Sequence, residues 1–125
     1  MSVQNKDDQV LPVDLTEVLE RVNGDREFLK ELFNDLINDY PKQLKVLSQG
    51  IETRNFGEIV YAAHNLKGTT GALAANNARE LAFKLEQMGR DEQLENAQEV
   101  LDKLKKELQR VNKWIKDYFF TGRDL

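Results

Sequence analysis

From Leu94 to Tyr118 apolar side chains return every three or four residues, at Leu94, Ala97, Leu101, Leu104, Leu108, Val111, Ile115 and Tyr118. That spacing puts all eight on one stripe of an α-helix and describes a seam for packing against near-parallel helices. A stripe of this length cannot stay wet, so it fixes the rest of the problem: other helices must cover it. An intermolecular coiled coil would also satisfy it. The same short chain carries three further amphipathic segments that need partners, however, and this favours packing within one molecule.

Those segments are read from their apolar periodicity and their start signals. A short one covers about 14–22. A long one covers about 25–53, with Leu29, Leu32, Phe33, Leu36, Tyr40, Leu44, Leu47 and Ile51 inward and Pro41 predicted to kink or split it. A third covers about 55–72, with Phe56, Ile59, Ala63, Leu66 and Thr70 inward, followed by Leu73. A fourth covers about 77–88, built on Ala78, Leu81, Leu85 and Met88, and the last covers about 91–119. Asp14…Glu17, Asn55…Glu58 and Asn77…Glu80 have capping-box spacing. Asp25 and Asp91 read as N-caps, and Gly24 and Gly89 as helix stops. No alternation of strand type, internal repeat or low-complexity tract interrupts this pattern. The expected fold is all-α: an antiparallel up-down-up-down four-helix bundle over 12–120 with a short additional N-terminal helix. Residues 1–11 and 121–125 are expected to be tails.

Bulk properties remove several function classes. There is no cysteine, hence no disulfide, thiolate metal site or thiol nucleophile, and with a single histidine no metal site is expected. A net charge of −4, with basic residues scattered among acids, argues against nucleic acid as a partner. No apolar run approaches the ~20 residues that span a bilayer, so no membrane partner is expected. With 32% charged residues the chain reads as a cytoplasmic protein, expected to be a monomer.

The one histidine stands out within this frame. In the third segment His64, Lys67, Gly68 and Gly71 fall at i, i+3, i+4 and i+7, on one helical face. Two glycines there cost roughly 1 kcal/mol each against alanine, a cost expected where something must approach the backbone. His64 is offset by about 100° from the inward Ala63 and is predicted at the edge of the core with one ring nitrogen in water. A mostly neutral imidazole is a nucleophile at neutral pH. Lys67, predicted to be exposed, lies close enough to neutralise a phosphoryl group placed on His64. The chain shows no phosphate-cradling glycine loop after a strand, no second histidine and no Ser-His-acid set. Such a site can accept and donate a group but does not activate one.

The run Ala63-His64-Asn65-Leu66-Lys67-Gly68-Thr69-Thr70-Gly71-Ala72-Leu73, with Leu81-Ala82 and Leu85-Glu86 beyond it, resembles the signature of histidine-containing phosphotransfer (HPt) domains. The Asp14-Leu15 entry, the Gly24-Asp25 helix start, the long second helix and the final amphipathic helix fall in the family order, so about 12–118 is covered. The resemblance implies a phosphorelay intermediate. His64 would take a phosphoryl group on Nε2 from the aspartate of one receiver domain and pass it to the aspartate of another. Such a carrier is not an enzyme with its own ATP-binding or catalytic domain. It also implies that Lys67 supports the phosphoryl charge, that Gly68 stays small so a receiver can dock, and that Glu86 accepts from Nδ1. Arg90 would help docking. The implied partners are response-regulator receiver domains, a hybrid sensor histidine kinase, or both; no cofactor is implied for this chain, and Mg2+ would belong to the receiver. Candidates for the docking surface are Val60, Tyr61, Gly68, Gly71 and Ala72, with Leu15 and Val18 of the short helix. Two positions depart from the family pattern. Ala74 stands where many members have glycine, and Glu86 where many have glutamine, a carboxylate there being similar to the domain of chemotaxis kinases. The other readings are a helical adaptor that binds a receiver or kinase without being phosphorylated, and the phosphoacceptor segment of a chemotaxis-type kinase.

Overall fold

A computed structural model describes residues 11–120 of the chain. It contains five helices: α1 (Leu15–Arg21), α2 (Arg26–Thr53), α3 (Phe56–Ala72), α4 (Asn76–Asp91) and α5 (Ala97–Phe120). The four long helices pack in a ring, α2 on α3, α3 on α4, α4 on α5 and α5 back on α2, with α1 against α2. Connections of two to five residues make neighbours antiparallel. The tails expected at 1–11 and 121–125 lie outside the described residues except for Leu11, which is exposed.

Three of the expected starts are made as read. The Glu17 amide donates to the Asp14 carboxylate at 3.0 Å, that of Phe28 to Asp25 at 3.0 Å, and that of Glu58 to the Asn55 side chain at 3.2 Å. Each satisfies an amide that the first helical turn leaves without a partner. The fourth and fifth starts differ from expectation. Asn77 does not cap α4: the N-cap is Ala75, with no side-chain bond, and Asn76 instead donates to Glu17 of α1 at 3.1 Å. Asp91 does not open α5, because α4 runs through it; α5 begins at Ala97, leaving Leu94 in the connecting turn.

Helix ends explain the difference. The first four helices close with the same pair of bonds, in which the amides just past the end reach back to the last free carbonyls. After α3, Ala74 N–H donates to Gly71 O and Ala75 N–H to Thr70 O; after α4, Glu92 donates to Gly89 O and Gln93 to Met88 O. The left-handed residue this requires is Asn23, Arg54, Ala74 or Glu92 in turn, at φ of 54°, 56°, 55° and 56°. None is glycine. Gly89 therefore does not stop a helix. It sits inside α4, where an added Cβ would lie 2.9 Å from Val60 Cγ2 and 3.0 Å from Ile59 Cγ2, and its lack of a side chain lets α3 and α4 approach closely. Pro41 does not split α2, which runs continuously past it with the ring on the exposed face.

The core is formed largely by the predicted stripes, with Leu29, Phe33, Leu36 and Leu47 of α2, Ile59, Ala63 and Leu66 of α3, Ala78 and Leu85 of α4, and Leu101, Leu104 and Leu108 of α5; Ala62 and Ala82, not expected inward, are fully buried, whereas Leu81 and Met88 are only partly so. Each fully buried leucine contributes about 1.5–3 kcal/mol by leaving water. Between α3 and α4 the inward residues are mostly alanines. Between α2 and α5 they are large, with Phe33 edge-on to Trp114 at 6.0 Å and to Phe119 at 5.6 Å.

Candidate functional site

The close pairing of α3 and α4 places His64 beside Glu86. The His64 ring is 61% exposed, whereas the Glu86 side chain is 2% exposed, and Nδ1 lies 3.0 Å from Glu86 Oε2. Two cations complete the cluster. Lys67 Nζ is 2.6 Å from Glu86 Oε1, and Arg90, one turn along α4, donates to Oε2 at 2.8 Å. His64, Lys67 and Arg90 thus meet around the single buried carboxylate of Glu86, the last of them a residue expected only to help docking.

Electrostatics follow from that count. Burial alone would push the Glu86 carboxyl up, but hydrogen bonds from Lys67, Arg90 and His64 outweigh it and hold the group at about 2. Glu86 is therefore ionised at neutral pH and can only accept hydrogen bonds. The imidazole must meet it with Nδ1–H, which leaves the lone pair on Nε2, the nitrogen turned away from Glu86. An exposed ring with a fixed tautomer is a nucleophile pointing at solvent.

Lys67 departs from expectation. Its side chain is 28% exposed rather than free in solvent, because its ammonium reaches inward to Glu86 and lies 5.2 Å from the centroid of the Phe83 ring. Its position one turn of helix beyond His64 lets the ammonium cross to Glu86 on α4.

The flank beside His64 is only partly as read. At Gly68 an added Cβ would meet nothing within 4 Å, so this position is open. At Gly71 it would lie 3.0 Å from Arg79 Cδ; the glycine makes room for the aliphatic stem of an arginine from α4 rather than leaving the surface bare. Tyr61 is 67% exposed and Ala72 is exposed, whereas Val60 is half-buried with its methyl against Gly89. The docking candidates on α1 are misplaced. Val18 is fully buried and Leu15 packs on the core, while Glu17 and Arg21 form the side of α1 that faces the site.

A cleft of about 650 Å³ runs along this flank, lined by Lys67, Gly68, Gly71, Arg79, Phe83 and Glu17 among others. Phe83 and Arg79 were not singled out from the sequence. Phe83 carried a signal, being an aromatic that falls off the Ala78, Leu81 and Leu85 stripe, and it is 39% exposed. Among the described residues no cluster of three or more histidine or acidic side chains is placed to hold a metal ion, and no helix is long and apolar enough to cross a membrane.

The Hpt domain family matches residues 31–114. A phosphorelay intermediate protein, rdeA of Dictyostelium discoideum, is 27% identical over 95 residues, which is 76% of this chain and 37% of that protein. The chain thus spans little more than a third of the length of that relative. The crystal structure of histidine-containing phosphotransfer protein B from Pseudomonas aeruginosa PAO1 superposes with a TM-score of 0.78 at 17% identity, covering 85% of this chain and 92% of the other, which shows a shared fold.

Proposed function

The chain belongs to the Hpt domain family, and from that premise we propose that it is a phosphorelay intermediate whose carrier atom is Nε2 of His64. The observation that carries the reading is the His64–Glu86 contact, in which a buried, ionised carboxylate holds Nδ1–H and leaves the lone pair on the exposed nitrogen. The partners are receiver domains, one donating from its aspartyl phosphate and another accepting, with a hybrid sensor kinase upstream. A receiver approaches over Gly68, where nothing obstructs it. Lys67 swings from Glu86 to share the phosphoryl charge, and Arg90 remains on the carboxylate. Any Mg2+ arrives with the receiver, and the setting is the cytoplasm.

Mixing the protein with a receiver phosphorylated on aspartate should yield an acid-labile, alkali-stable phosphoprotein. His64→Gln should abolish it while leaving the helical content unchanged, since the ring is exposed. Label retained by the glutamine variant would refute the assignment.

A further inference from the structure

Transfer through an imidazole has two halves with different demands. Loading needs a lone pair on Nε2. Unloading needs a ring that leaves readily, since the electron pair of the Nε2–P bond must return to it. A ring still protonated at Nδ1 leaves as neutral imidazole. A ring that has lost that proton must leave as imidazolate, a far stronger base and a poor leaving group. Whatever faces Nδ1 therefore governs the second half.

In this protein Nδ1 faces Glu86 at 3.0 Å, and Glu86 is itself gripped by Lys67 at 2.6 Å and Arg90 at 2.8 Å. The ionisable groups facing the ring are thus Lys67 on its own helix and Glu86 and Arg90 from α4. A carboxylate presents acceptors only, so the contact is satisfied only while Nδ1 keeps its proton. A carboxamide can turn either its oxygen or its NH2 toward the ring and serve both forms. Arg90, which stays on the carboxylate when Lys67 moves to the phosphoryl group, also keeps Glu86 from taking the ring proton, because a protonated carboxyl would forfeit that ion pair.

We propose, resting on the phosphocarrier reading above, that Glu86 is a positioning residue that retains the Nδ1 proton on phosphorylated His64. The ring then hands on its phosphoryl group as neutral imidazole, even in alkaline solution where glutamine at this position would let the proton go. In loading, the Nε2 lone pair forms the N–P bond as the P–O bond to the donor aspartate breaks, its electron pair going to the aspartate oxygen. The ring becomes an imidazolium that still bears Nδ1–H. In unloading, an oxygen of the acceptor aspartate bonds to phosphorus as the N–P bond breaks, and the pair returns to Nε2. The Nδ1 proton stays in place throughout, and no further reactant is needed.

His64 is the only histidine in the chain, so labelling histidine with 15N gives a single set of ring signals. The protein would be loaded with phosphoramidate, and Nδ1 of phosphorylated His64 followed by NMR from pH 6 to 10 in the wild type and in Glu86→Gln. The rate of transfer to a receiver domain would be measured over the same range. The wild type should keep Nδ1–H to a pH higher by about one unit, and at the pH where the variant has half lost it the wild type should transfer about tenfold faster, as expected of a charge-assisted hydrogen bond replaced by a neutral one. At pH 6 the two rates should agree, whereas a merely structural defect would lower the variant's rate at every pH. Loss of Nδ1–H at the same pH in both proteins overturns the inference and leaves the carrier reading standing. Failure of His64 to take label from either phosphoramidate or a phosphorylated receiver overturns both. Should Glu86→Gln not fold, the wild type alone decides, and an unprotonated Nδ1 at pH 8 refutes the proposal.

Discussion

Replacing Gly68 by alanine should make this protein more stable, and replacing it by leucine should make it a poor carrier. Gly68 lies inside α3 on an exposed face, and its missing Cβ would touch nothing within 4 Å. Alanine there gains the full helix-propensity difference, about 1 kcal/mol, or about 4 °C in melting temperature for a domain of this size. The same change at Gly89 has the opposite sign. The propensity gain is equal, but the new methyl would stand 2.9 Å from Val60 Cγ2, 3.0 Å from Ile59 Cγ2 and 3.3 Å from the Val60 backbone nitrogen. Ile59 is fully buried and has nowhere to go. Overpacking of this kind costs about 1–3 kcal/mol, so Gly89→Ala should be destabilised by about 1 kcal/mol net. Urea and thermal melts at pH 7 measure both. Phosphoryl uptake from a phosphorylated receiver supplies the functional arm. Gly68→Leu, a good helix former ranked just below alanine, should fold well yet load at least about tenfold more slowly, because displacing the reacting atoms by about 1 Å costs up to 100-fold. A lower melting temperature for Gly68→Ala would contradict the helical placement of the stripe. Wild-type loading by Gly68→Leu would show that the open flank has no part in partner approach.

Two further outcomes follow from the Glu86 cluster. Because its carboxyl is held at about 2 against an ordinary 4.5, Glu86 contributes stability that is complete above pH 4.5 and is lost as the pH falls toward 2. The amount is at most about 3 kcal/mol, and the difference in urea stability between pH 7 and pH 3 should shrink in Glu86→Gln; an undiminished difference would place the acid sensitivity elsewhere. Lys67→Ala should cost about 1–2 kcal/mol at pH 7, since it strips Oε1 of its cation. The cost should vanish in a Glu86→Gln background, and a loss that persists there would mean that Lys67 acts through some other contact.

The stripes, three of the N-caps and the shared exposed face of His64 and Gly68 could be read from the chain because each is a local, periodic pattern. Asp14, Asp25 and Asn55 do what their residue types do at helix starts, and the step of 22 positions from His64 to Glu86 is one that the folded hairpin closes to a 3.0 Å contact. Of the helix ends only that of α1 was legible, where Gly24 takes φ of 74° and its N–H reaches back to Leu19 O. After α2, α3 and α4 the ends are set by backbone bonds around Arg54, Ala74 and Glu92, residues with no preference for the left-handed region, so Gly89 was a false guide. Gly89 looked like a stop because crowding against Ile59 and Val60 leaves no trace in a linear pattern. Gly71 looked bare for the same reason, as Arg79 reaches it from another helix. Lys67 was expected in solvent because its tether, Glu86, is buried only by the tertiary fold. Val18 and Leu15 were assigned outward because a seven-residue helix is too short for its periodicity to define a face.

Every atom of the reactive cluster is supplied by one helical hairpin, α3 and α4, closed by a turn of three residues and zipped by glycine and alanine. The bulky aromatic half, α2 with α5, supplies none of them. Insertions in the connection at 92–96, or changes in the length of α2, therefore alter how the hairpin is mounted and leave the His64–Glu86 separation untouched. Evolution and engineering alike are free to vary that far half of the molecule without retuning the chemistry.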